Sequence, residues 1–344
     1  MIPAAPFKAL QGVAQSHSSA RHSGETMSQI ETLLAEVLPE VEAAVQRATS
    51  GPQPLQDASA HLVLSGGKRV RPITTLLVNR ACGGDGTGAA SLAAAVELIH
   101  SATLLHDDVM DEGEQRRGRP ASRVLWGNLV SVLSGDLLLT AALDLVQRSA
   151  VPGAMEDTLA TMRALIGGEV AQLQARGRDD IGIDGYLEIA RGKTASLFAC
   201  ACRFGARSAG AEIEVTEAAG RFGERVGVAF QIVDDVLDLE GVPHEVGKRL
   251  GHDLAEGKTT LPLALALARS AEELRPLLVN ARAGDTLAAA KVSRAESVQQ
   301  ACVEARAFAL AQTEQGMREL ELLPAGAPRE LLAALVRGLI LRRV

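Results

Sequence analysis

The chain is poor in aromatic residues. Its 344 residues include one tryptophan, one tyrosine and six phenylalanines, 2% of the total. Strands are usually rich in aromatic and β-branched residues, whereas the apolar residues here are mostly alanine, leucine and valine. Because alanine and leucine are strong helix formers, the composition predicts an all-α protein.

Cysteine and positive charge are also scarce. The four cysteines form no C-x-x-C pair and have no histidine at zinc-site spacing. We therefore expect Cys82, Cys200, Cys202 and Cys302 to be reduced core thiols. The formal net charge is −7. Nucleic-acid binding depends on broad basic surfaces, so no general nucleic-acid partner is expected.

The sequence gives no sign of membrane insertion or export. No apolar run reaches the roughly 18 residues of a spanning helix, and the first residues lack the charged start, apolar stretch and cleavage site of a secretion signal. A cytoplasmic protein without a membrane span is expected. Residues 1–26 are small, polar and aperiodic and predict a disordered N-terminal extension, with Met27 as an alternative start. Because no later break is long enough for a linker, we expect one helical domain over residues 27–344.

From Ile30 onward, apolar residues recur every three and four positions, which is the spacing of an amphipathic helix. Breaks such as CGGDGTG and ARGRDDIGID separate further segments of this kind. Beyond this first helix the pattern predicts ten more, at about 57–65, 69–82, 88–112, 121–149, 153–176, 183–207, 213–240, 259–270, 296–321 and 327–343.

Three aspartates lie within five positions at the end of an apolar helical run: Asp107, Asp108 and Asp111. Positions i and i+4 of a helix point the same way, so Asp107 and Asp111 face one direction with Asp108 beside them. Like charges at the end of a buried helix repel one another unless a cation or a base neutralises them. A bound metal ion explains this cluster best.

The same D-D-x-x-D pattern returns at Asp234, Asp235 and Asp238, again after an apolar helical run. A single copy is often a solvated helix end, but two copies that each close an apolar helix indicate a shared site. Carboxylate oxygens without cysteine or paired histidine suit Mg²⁺, which keeps several waters and completes its shell with substrate phosphates. The two clusters therefore predict a diphosphate bound between them.

Lysine is rare, with six residues against 29 arginines, so its placement is informative. Four of the six lysines lie in short glycine-flanked segments between helices: Lys68, Lys193, Lys248 and Lys258. A Gly-Lys pair at a helix start brings an ammonium and free backbone N–H groups to one point, which is how phosphate oxygens are held. These lysines strengthen the prediction of a diphosphate site.

In this order the motifs resemble those of the trans-type polyprenyl diphosphate synthases, in particular the long-chain branch. The stretches that carry the resemblance lie between Leu64 and Pro262 and read GGKRVRP, LLHDDVMDEGEQRRG, GKT, QIVDDVLD and GHDLAEGKTTLPL. The resemblance implies the isoprenoid synthase type I fold, a single-domain bundle of about ten or more helices around a central cavity. It also implies a homodimer and a prenyltransferase that joins an allylic diphosphate to successive isopentenyl diphosphates.

The resemblance implies roles for three sets of residues. It implies three Mg²⁺ ions per active site, bound by Asp107, Asp111 and Asp234 with the support of Asp108, Asp235 and Asp238. The residues implied to bind isopentenyl diphosphate are Lys68, Arg71, His100 and Arg117. Those implied to bind the allylic diphosphate, whether dimethylallyl, geranyl, farnesyl or geranylgeranyl, are Arg116, Lys193, Lys248 and Lys258. The residues implied to act at the reacting carbons and the departing diphosphate are Lys193, Thr194, Gln231 and Lys258.

The implied chemistry needs no protein nucleophile. Metal ions and lysines neutralise the departing diphosphate, the allylic C–O bond ionises, and the double bond of isopentenyl diphosphate attacks the carbocation. In the family the released diphosphate removes the final proton. A sequence without a Ser/His/Asp or Cys/His constellation agrees with this chemistry.

Product length is implied by the residues one turn before the first aspartate cluster, because in the family the growing chain runs along that helix. Here Ala102 and Thr103 are small, and no aromatic residue stands between Phe7 and Trp126. A long product, heptaprenyl to decaprenyl, is expected, with Leu138 as part of the floor and with Ala102→Phe shortening the chain. A farnesyl or geranylgeranyl product is the alternative, because small residues also serve close helix packing.

Three other interpretations fit the sequence less well than this one. A class I terpene cyclase shares the first aspartate motif but usually carries an Asn/Ser/Glu variant at the second, and it has no need of GGKRVRP for a second diphosphate. A non-catalytic partner subunit of the same fold would not need intact acids and lysines. A di-iron centre needs two E-x-x-H motifs, and the sequence provides one, Glu97 to His100.

Overall fold

The computed structural model describes residues 38–240 and 251–341. This part of the chain is helical apart from one small hairpin and the connecting turns, which confirms the predicted all-α class. The predicted N-terminal extension, the start of the helix expected from Ile30, and Lys248 lie outside the described residues.

The secondary-structure elements follow one another with short connections. A first helix, α1, covers residues 38–48. The later helices are α2 (Leu55–Val63), α3 (Val70–Ala81), α4 (Ala89–Met110), α5 (Ser122–Trp126), α6 (Asn128–Ser149), α7 (Ala154–Ala175), α8 (Gly182–Ala190), α9 (Ser196–Ser208), α10 (Ile213–Glu240), α11 (His252–Ala255), α12 (Leu261–Arg282), α13 (Thr286–Arg294), α14 (Glu296–Leu320) and α15 (Ala327–Leu341). A π-helical turn, Arg191–Ala195, joins α8 to α9, and strand β1 (Gln115–Arg116) pairs antiparallel with β2 (Arg119–Pro120).

Several boundaries correct the sequence prediction. The helix expected at 121–149 is divided at Gly127, whose φ of +85° lies in the left-handed region that glycine favours. The helix expected at 259–270 continues to Arg282 across a kink, where Ser270 has φ −130°. Helix α13 was not predicted, although Asp285 is an N-cap whose side chain accepts hydrogen bonds from the backbone N–H groups of the first turn.

The core consists of two apolar clusters made mostly of leucine, valine and alanine side chains. One is formed around α10, α12, α14 and α15, and the other around α4, α6 and α9. The three largest side chains fully buried in them are Phe198, Phe204 and Phe222. Helices α4 and α10 belong to different clusters, and their aspartate-bearing ends line one cavity.

Two helices in the described part of the chain, α4 and α6, are long and apolar enough to cross a membrane by length and composition alone. The expectation of no membrane span stays a prediction, since charged residues such as Glu97 interrupt these apolar helices. In α4, 72% of the apolar stretch is buried inside the protein, as in a core helix. In α6 the buried share is 33%, so this helix keeps an exposed apolar face.

The cysteines lie where the sequence analysis expects them. All four have free thiols, and Cys200, Cys202 and Cys302 are buried, while Cys82 is half-buried. Burial raises the pKa of the Cys200 thiol to about 12. These thiols are packing residues rather than reactive groups.

Candidate active site

A cavity of about 490 Å³ is lined by the C-terminal parts of α4 and α10. Four of the six aspartates predicted to bind metal line it: Asp107, Asp234, Asp235 and Asp238. Nine predicted substrate-binding residues also line it: Lys68, Arg71, His100, Arg116, Arg117, Lys193, Thr194, Gln231 and Lys258. The structure therefore brings both aspartate motifs and the described basic positions to one cavity.

The other two aspartates of the first motif are engaged by arginines and do not line the cavity. Asp108 is buried, and its Oδ1 accepts a hydrogen bond from Arg116 Nη2 at 2.6 Å. Asp111 Oδ1 lies 2.5 Å from Arg176 Nη2, and its Oδ2 lies 3.6 Å from Lys258 Nζ. These ion pairs tie the first motif to the end of α7 and to the segment before α12.

The first motif has the electrostatics of a cation site. Burial raises the pKa of the Asp107 carboxyl to about 6 against the lowering effect of Lys193, and Glu169 adds to the rise. Burial also raises the pKa of Asp108, whose Oδ2 is buried without a hydrogen-bond partner. A nearby cation would favour the charged form of both carboxyls.

The donor set fits Mg²⁺. All predicted ligands are carboxylate oxygens, the hard donors that this ion prefers. Within residues 38–240 and 251–341, no group of three or more Asp, Glu, His or Cys side chains is already arranged to hold an ion. Mg²⁺ usually keeps several waters and binds through one or two carboxylates plus phosphate oxygens, so it does not need such a preformed cage.

In the second motif, Asp235 belongs to a buried hydrogen-bond chain. Tyr186 Oη donates to Asp235 Oδ2 at 2.6 Å, and Gln231 Nε2 donates to Asp235 Oδ1 at 2.7 Å. Thr194 Oγ1 in turn donates to Gln231 Oε1 at 2.6 Å. Burial raises the pKa of Asp235 well above its usual value. This chain fixes the orientation of the Gln231 amide on the cavity wall.

Asp238 anchors the segment that carries Lys258. Its carboxylate accepts hydrogen bonds from two backbone N–H groups at the start of α11. The backbone nitrogen of His252 lies 3.3 Å from Asp238 Oδ1, and that of Asp253 lies 3.1 Å from Asp238 Oδ2. Burial opposes the charge of Lys258, but Asp253, Glu256 and Asp111 outweigh burial and raise its pKa. Lys258 therefore stays charged beside the aspartates.

A second group of cavity residues is cationic. Burial lowers the pKa of Arg71 to about 10, its Nε has no hydrogen-bond partner, and its Cζ lies 4.6 Å from the centroid of the Phe198 ring. Burial also lowers the pKa of His100 well below its usual value, and Arg71 and Arg117 add to this effect, so the imidazole is neutral. An incompletely paired guanidinium beside other cations suits a diphosphate, which brings both charge and acceptors.

The GGKRVRP segment holds one of these cations through its backbone. Arg117 Nη1 donates to the carbonyl of Gly66, and a Cβ on Gly67 would lie only 3.1 Å from Arg117 Nη2. The side chain of Arg69, in the same segment, pairs with Glu97 instead: its Nη1 lies 2.5 Å from Glu97 Oε1. Because Glu97 is engaged in this buried ion pair, it is not a metal ligand here, which argues against the di-iron interpretation.

The structure separates the residues predicted to control chain length. Thr103 lines the cavity, whereas Ala102 and Leu138 are 0% exposed, pack in the core cluster around α4 and do not line it. Neighbouring positions of a helix point about 100° apart, so only one of the residues 102 and 103 faces the cavity. The role of Ala102, Thr103 and Leu138 in chain length stays a prediction. The apolar wall next to Thr103 includes Leu165 and Ile166 of α7.

Sequence reasoning missed several residues of the site. Glu169, Phe230 and His106 line the cavity, Arg176 pairs with Asp111, and Tyr186 holds Asp235. Tyr186 carries the one available signal, since it is the only tyrosine of the chain and a buried tyrosine hydroxyl usually requires a partner. His106 stands directly before Asp107 on α4, whereas Glu169 and Phe230 lie in ordinary helical sequence and reach the cavity through the packing of α7 and α10.

Fold and site together define an all-α protein with one cavity lined by clustered carboxylates and by basic side chains. The chain belongs to the polyprenyl synthetase family, since the family model described as "Polyprenyl synthetase" matches residues 52–299. It is a prenyltransferase that makes an all-trans polyprenyl diphosphate.

Relatives in this family make products of different lengths. The chain is 37% identical over 297 residues to the short chain isoprenyl diphosphate synthase of Methanothermobacter thermautotrophicus, covering 85% of this chain and 91% of that protein. It is 39% identical over 285 residues to the all-trans-nonaprenyl-diphosphate synthase (geranyl-diphosphate specific) of Rhodobacter capsulatus, covering 82% and 87%. Among solved structures, the polyprenyl synthase from Caulobacter crescentus CB15 complexed with calcium and isoprenyl diphosphate superposes with a TM-score of 0.84 at 36% identity, covering 92% of this chain and 98% of that one.

Proposed function

We propose that the protein joins an allylic diphosphate to successive isopentenyl diphosphates in the cavity between α4 and α10 and makes a heptaprenyl to decaprenyl product. One observation carries this proposal: a single cavity is lined by both aspartate motifs and by two groups of cations. Lys193 and Lys258 lie beside the first motif, whereas Arg71 and Arg117 surround His100. Two groups of cations match two substrates that each carry a diphosphate.

We assign the aspartate side to the allylic diphosphate. Asp107 and Asp111 would hold two Mg²⁺ ions and Asp234 a third, and the ions when bound neutralise the departing diphosphate. Lys193 and Lys258 bind the same group from the protein side. Lys258 keeps its charge because acidic neighbours raise its pKa.

The other cavity residues position isopentenyl diphosphate and keep water out. Arg71 and Arg117 bind its diphosphate, and neutral His100 contributes a hydrogen bond. Holding both substrates in register supplies several kcal/mol of the barrier reduction. The apolar side chains of Leu165 and Phe230 exclude water from the carbocation. We assign the final proton abstraction to an oxygen of the released diphosphate.

The size of Thr103 supports a long product. This residue lies on the cavity wall one turn before Asp107, and its small side chain leaves space along α4. Its hydroxyl donates to the carbonyl of His100 at 2.8 Å, within the same helix, so it presents a methyl group and no unpaired polar group to the cavity. Among the described lining residues the one phenylalanine is Phe230, which lies on α10 rather than on α4.

Product formation tests this function directly. The purified protein is incubated with Mg²⁺, farnesyl diphosphate and radiolabelled isopentenyl diphosphate, with and without EDTA. We expect products of seven to ten isoprene units that disappear with EDTA and return with excess Mg²⁺. A hydrocarbon formed without isopentenyl diphosphate would indicate a cyclase. No product from the purified chain would indicate a subunit that needs a partner, and a farnesyl or geranylgeranyl limit would favour the short-chain alternative.

We also propose that the protein is a cytoplasmic homodimer. Helices α5, α6 and α7 carry seven exposed large apolar side chains, together named here the α5–α7 face: Val124, Leu125, Leu129, Val132, Leu133, Leu159 and Val170. Apolar patches of this kind on a soluble protein mark interfaces, and a second copy of the chain is the simplest partner that forms a closed pair. Asp136 and Asp144 are exposed on α6, which favours contact with protein and water over lipid.

The α5–α7 face makes a sharp prediction about oligomeric state. Wild-type protein is expected to elute in light-scattering chromatography at twice the 36.0 kDa mass of the chain. Leu129 is 72% exposed in the first turn of α6. Leu129→Asp combined with Leu133→Asp is expected to give a monomer, because the new carboxylates would be buried in the interface without partners. Val303→Asp on α14 is the control, since Val303 is 62% exposed outside this face. A wild-type monomer, or a dimer that the double substitution leaves intact, would contradict this interface.

A further inference from the structure

Helix α7 and the π-helical turn at 191–195 touch through two glycines. A Cβ on Gly168 would lie 2.5 Å from the backbone nitrogen of Lys193, and a Cβ on Gly192 would lie 2.7 Å from the Cα of Gly168. Both distances are too short for real side chains, so glycine is required on each side. The neighbouring Gly167 has open space around it. The contact is therefore a specific backbone approach rather than a generally small-residue surface.

This approach places Glu169 beside the cavity. Glu169 lines the cavity, and its Oε2 lies 2.5 Å from Lys193 Nζ, while Asp107 Oδ2 lies 3.8 Å from the same nitrogen. The side chains of Lys193 and Glu169 are 23% and 15% exposed, so water screens their attraction only in part. Lys193 is thus shared unequally between an acid of α7 and the first aspartate of the motif on α4.

We infer that Glu169 is a positioning residue that holds Lys193 away from Asp107 and so leaves this carboxylate open to a metal ion. The inference rests on the proposed function, because it uses the roles assigned there to Lys193 and Asp107. None of the sequence motifs contains Glu169. Its role arises from the contact between α7 and the π-helical turn.

The geometry sets the size of the effect. Without Glu169, the ammonium of Lys193 is free to close the 3.8 Å gap and form a direct ion pair with Asp107 at roughly 2.8 Å. At an effective dielectric constant of about 20, this approach strengthens the pair enough to weaken a competing cation by about tenfold. Mg²⁺ then has to displace the ammonium before it reaches the carboxylate.

The test measures binding rather than turnover. Titration calorimetry of the full-length protein with inorganic diphosphate at varied Mg²⁺ gives the Mg²⁺ concentration for half-saturation. Glu169→Ala is expected to raise this concentration about tenfold, and Glu169→Asp, which keeps the charge, is expected to recover part of the loss. Glu224→Gln is the matched control, since Glu224 pairs with Arg191 on the same turn at 3.6 Å but does not line the cavity. Its half-saturation is expected to equal that of the wild type.

A double-substitution cycle shows whether Glu169 acts through Lys193. In a Lys193→Ala background, Glu169→Ala is expected to change the Mg²⁺ half-saturation by less than about twofold, because the lysine that it restrains is gone. A tenfold effect that persists without Lys193, or no effect in the presence of Lys193, would overturn the inference. Equal melting temperatures of Glu169→Ala and wild type in EDTA show that folding is intact, and Glu169→Gln replaces Glu169→Ala if they differ.

The outcome is separable from that of the proposed function. If the wild-type protein fails to bind diphosphate with Mg²⁺ and forms no polyprenyl product, the proposed function is wrong. If the wild type does both and the cycle shows no coupling between Glu169 and Lys193, only the positioning role of Glu169 is wrong.

Discussion

Asp107→Asn is expected to lower kcat at least about a thousandfold and to raise the melting temperature of the metal-free protein by a few degrees. The loss of activity follows because a carboxylate that holds a metal ion contributes several kcal/mol of charge stabilisation when the diphosphate departs. The gain in stability follows because the same carboxylate is held charged at pH 7.5 in a buried position, where its pKa is raised to about 6.

The raised pKa of Asp107 determines how the free energy of unfolding depends on pH. A carboxyl whose pKa is higher in the folded protein than in the unfolded chain favours folding below its unfolded pKa, and this contribution is lost as the pH rises through about 6. Above that pH, charged Asp107 opposes folding by about 2 to 3 kcal/mol before any metal binds. The stabilising effect of asparagine should therefore be large at pH 7.5 and fade toward pH 4. Lys193 is not left unpaired by the substitution, since Glu169 Oε2 lies 2.5 Å away.

Thermal unfolding in EDTA at several pH values measures this effect. Asp144→Asn is the control, because Asp144 is exposed on α6 in an ion pair with Arg148 that water screens. With Mg²⁺ and inorganic diphosphate the wild type should have the higher melting temperature, since it gains stability from binding and the variant gains little. An Asp107→Asn protein that is less stable than wild type in EDTA at pH 7.5, or that keeps normal activity, would contradict the assignment of Asp107 as a metal ligand.

Thr103→Phe is expected to shorten the product by at least one isoprene unit. Thr103 lies on the wall of the cavity that Leu165 and Ile166 also line, and a phenyl ring at this position would narrow the space proposed for the growing chain. The substitution removes none of the charged groups assigned to isopentenyl diphosphate, so the KM for this substrate is expected to change less than twofold. Reversed-phase chromatography of dephosphorylated, radiolabelled products measures the change in length.

Ala102→Phe provides the matched comparison from the adjacent position. Ala102 is 0% exposed in a packed core, so a phenyl ring there is expected to destabilise the fold by about 1 to 3 kcal/mol through overpacking. A shortened product from Ala102→Phe together with an unchanged one from Thr103→Phe would show that the growing chain follows another face of α4. Products of equal length from wild type and Thr103→Phe would show that Thr103 does not control chain length.

The aspartate motifs illustrate what the sequence makes predictable. Helical periodicity and local composition place Asp107 and Asp234 at the ends of apolar helices, and the chemistry of carboxylates near cations suggests the ligand. The meeting of the two motifs, 127 positions apart, was predicted because two copies of one acidic pattern point to a shared ligand, and the cavity that both line agrees with this prediction. The class of fold and most of the cavity residues could be anticipated from these features.

Features that depend on contacts between distant segments could not be anticipated. Arg176 and Glu169 lie on α7, and nothing in their local sequence indicates that they face Asp111 and Lys193. The orientation of Ala102 and Thr103 could not be predicted either. The sequence does not fix the rotation of α4 about its axis, and this rotation decides which of the two residues faces the cavity. The exposure of apolar side chains on α6 could not be anticipated either, because the sequence does not show which of them a neighbouring helix covers.

The most direct measurement is a crystal structure of the protein with Mn²⁺, which replaces Mg²⁺ in oxygen sites, and inorganic diphosphate, with the ions located by anomalous scattering. We predict ions at about 2.0 to 2.4 Å from carboxylate oxygens of both Asp107 and Asp234, with one diphosphate bridging them and contacted by Lys193 and Lys258. Ions bound at one motif alone, or a diphosphate bound away from both, would contradict the joint role of the two aspartate motifs.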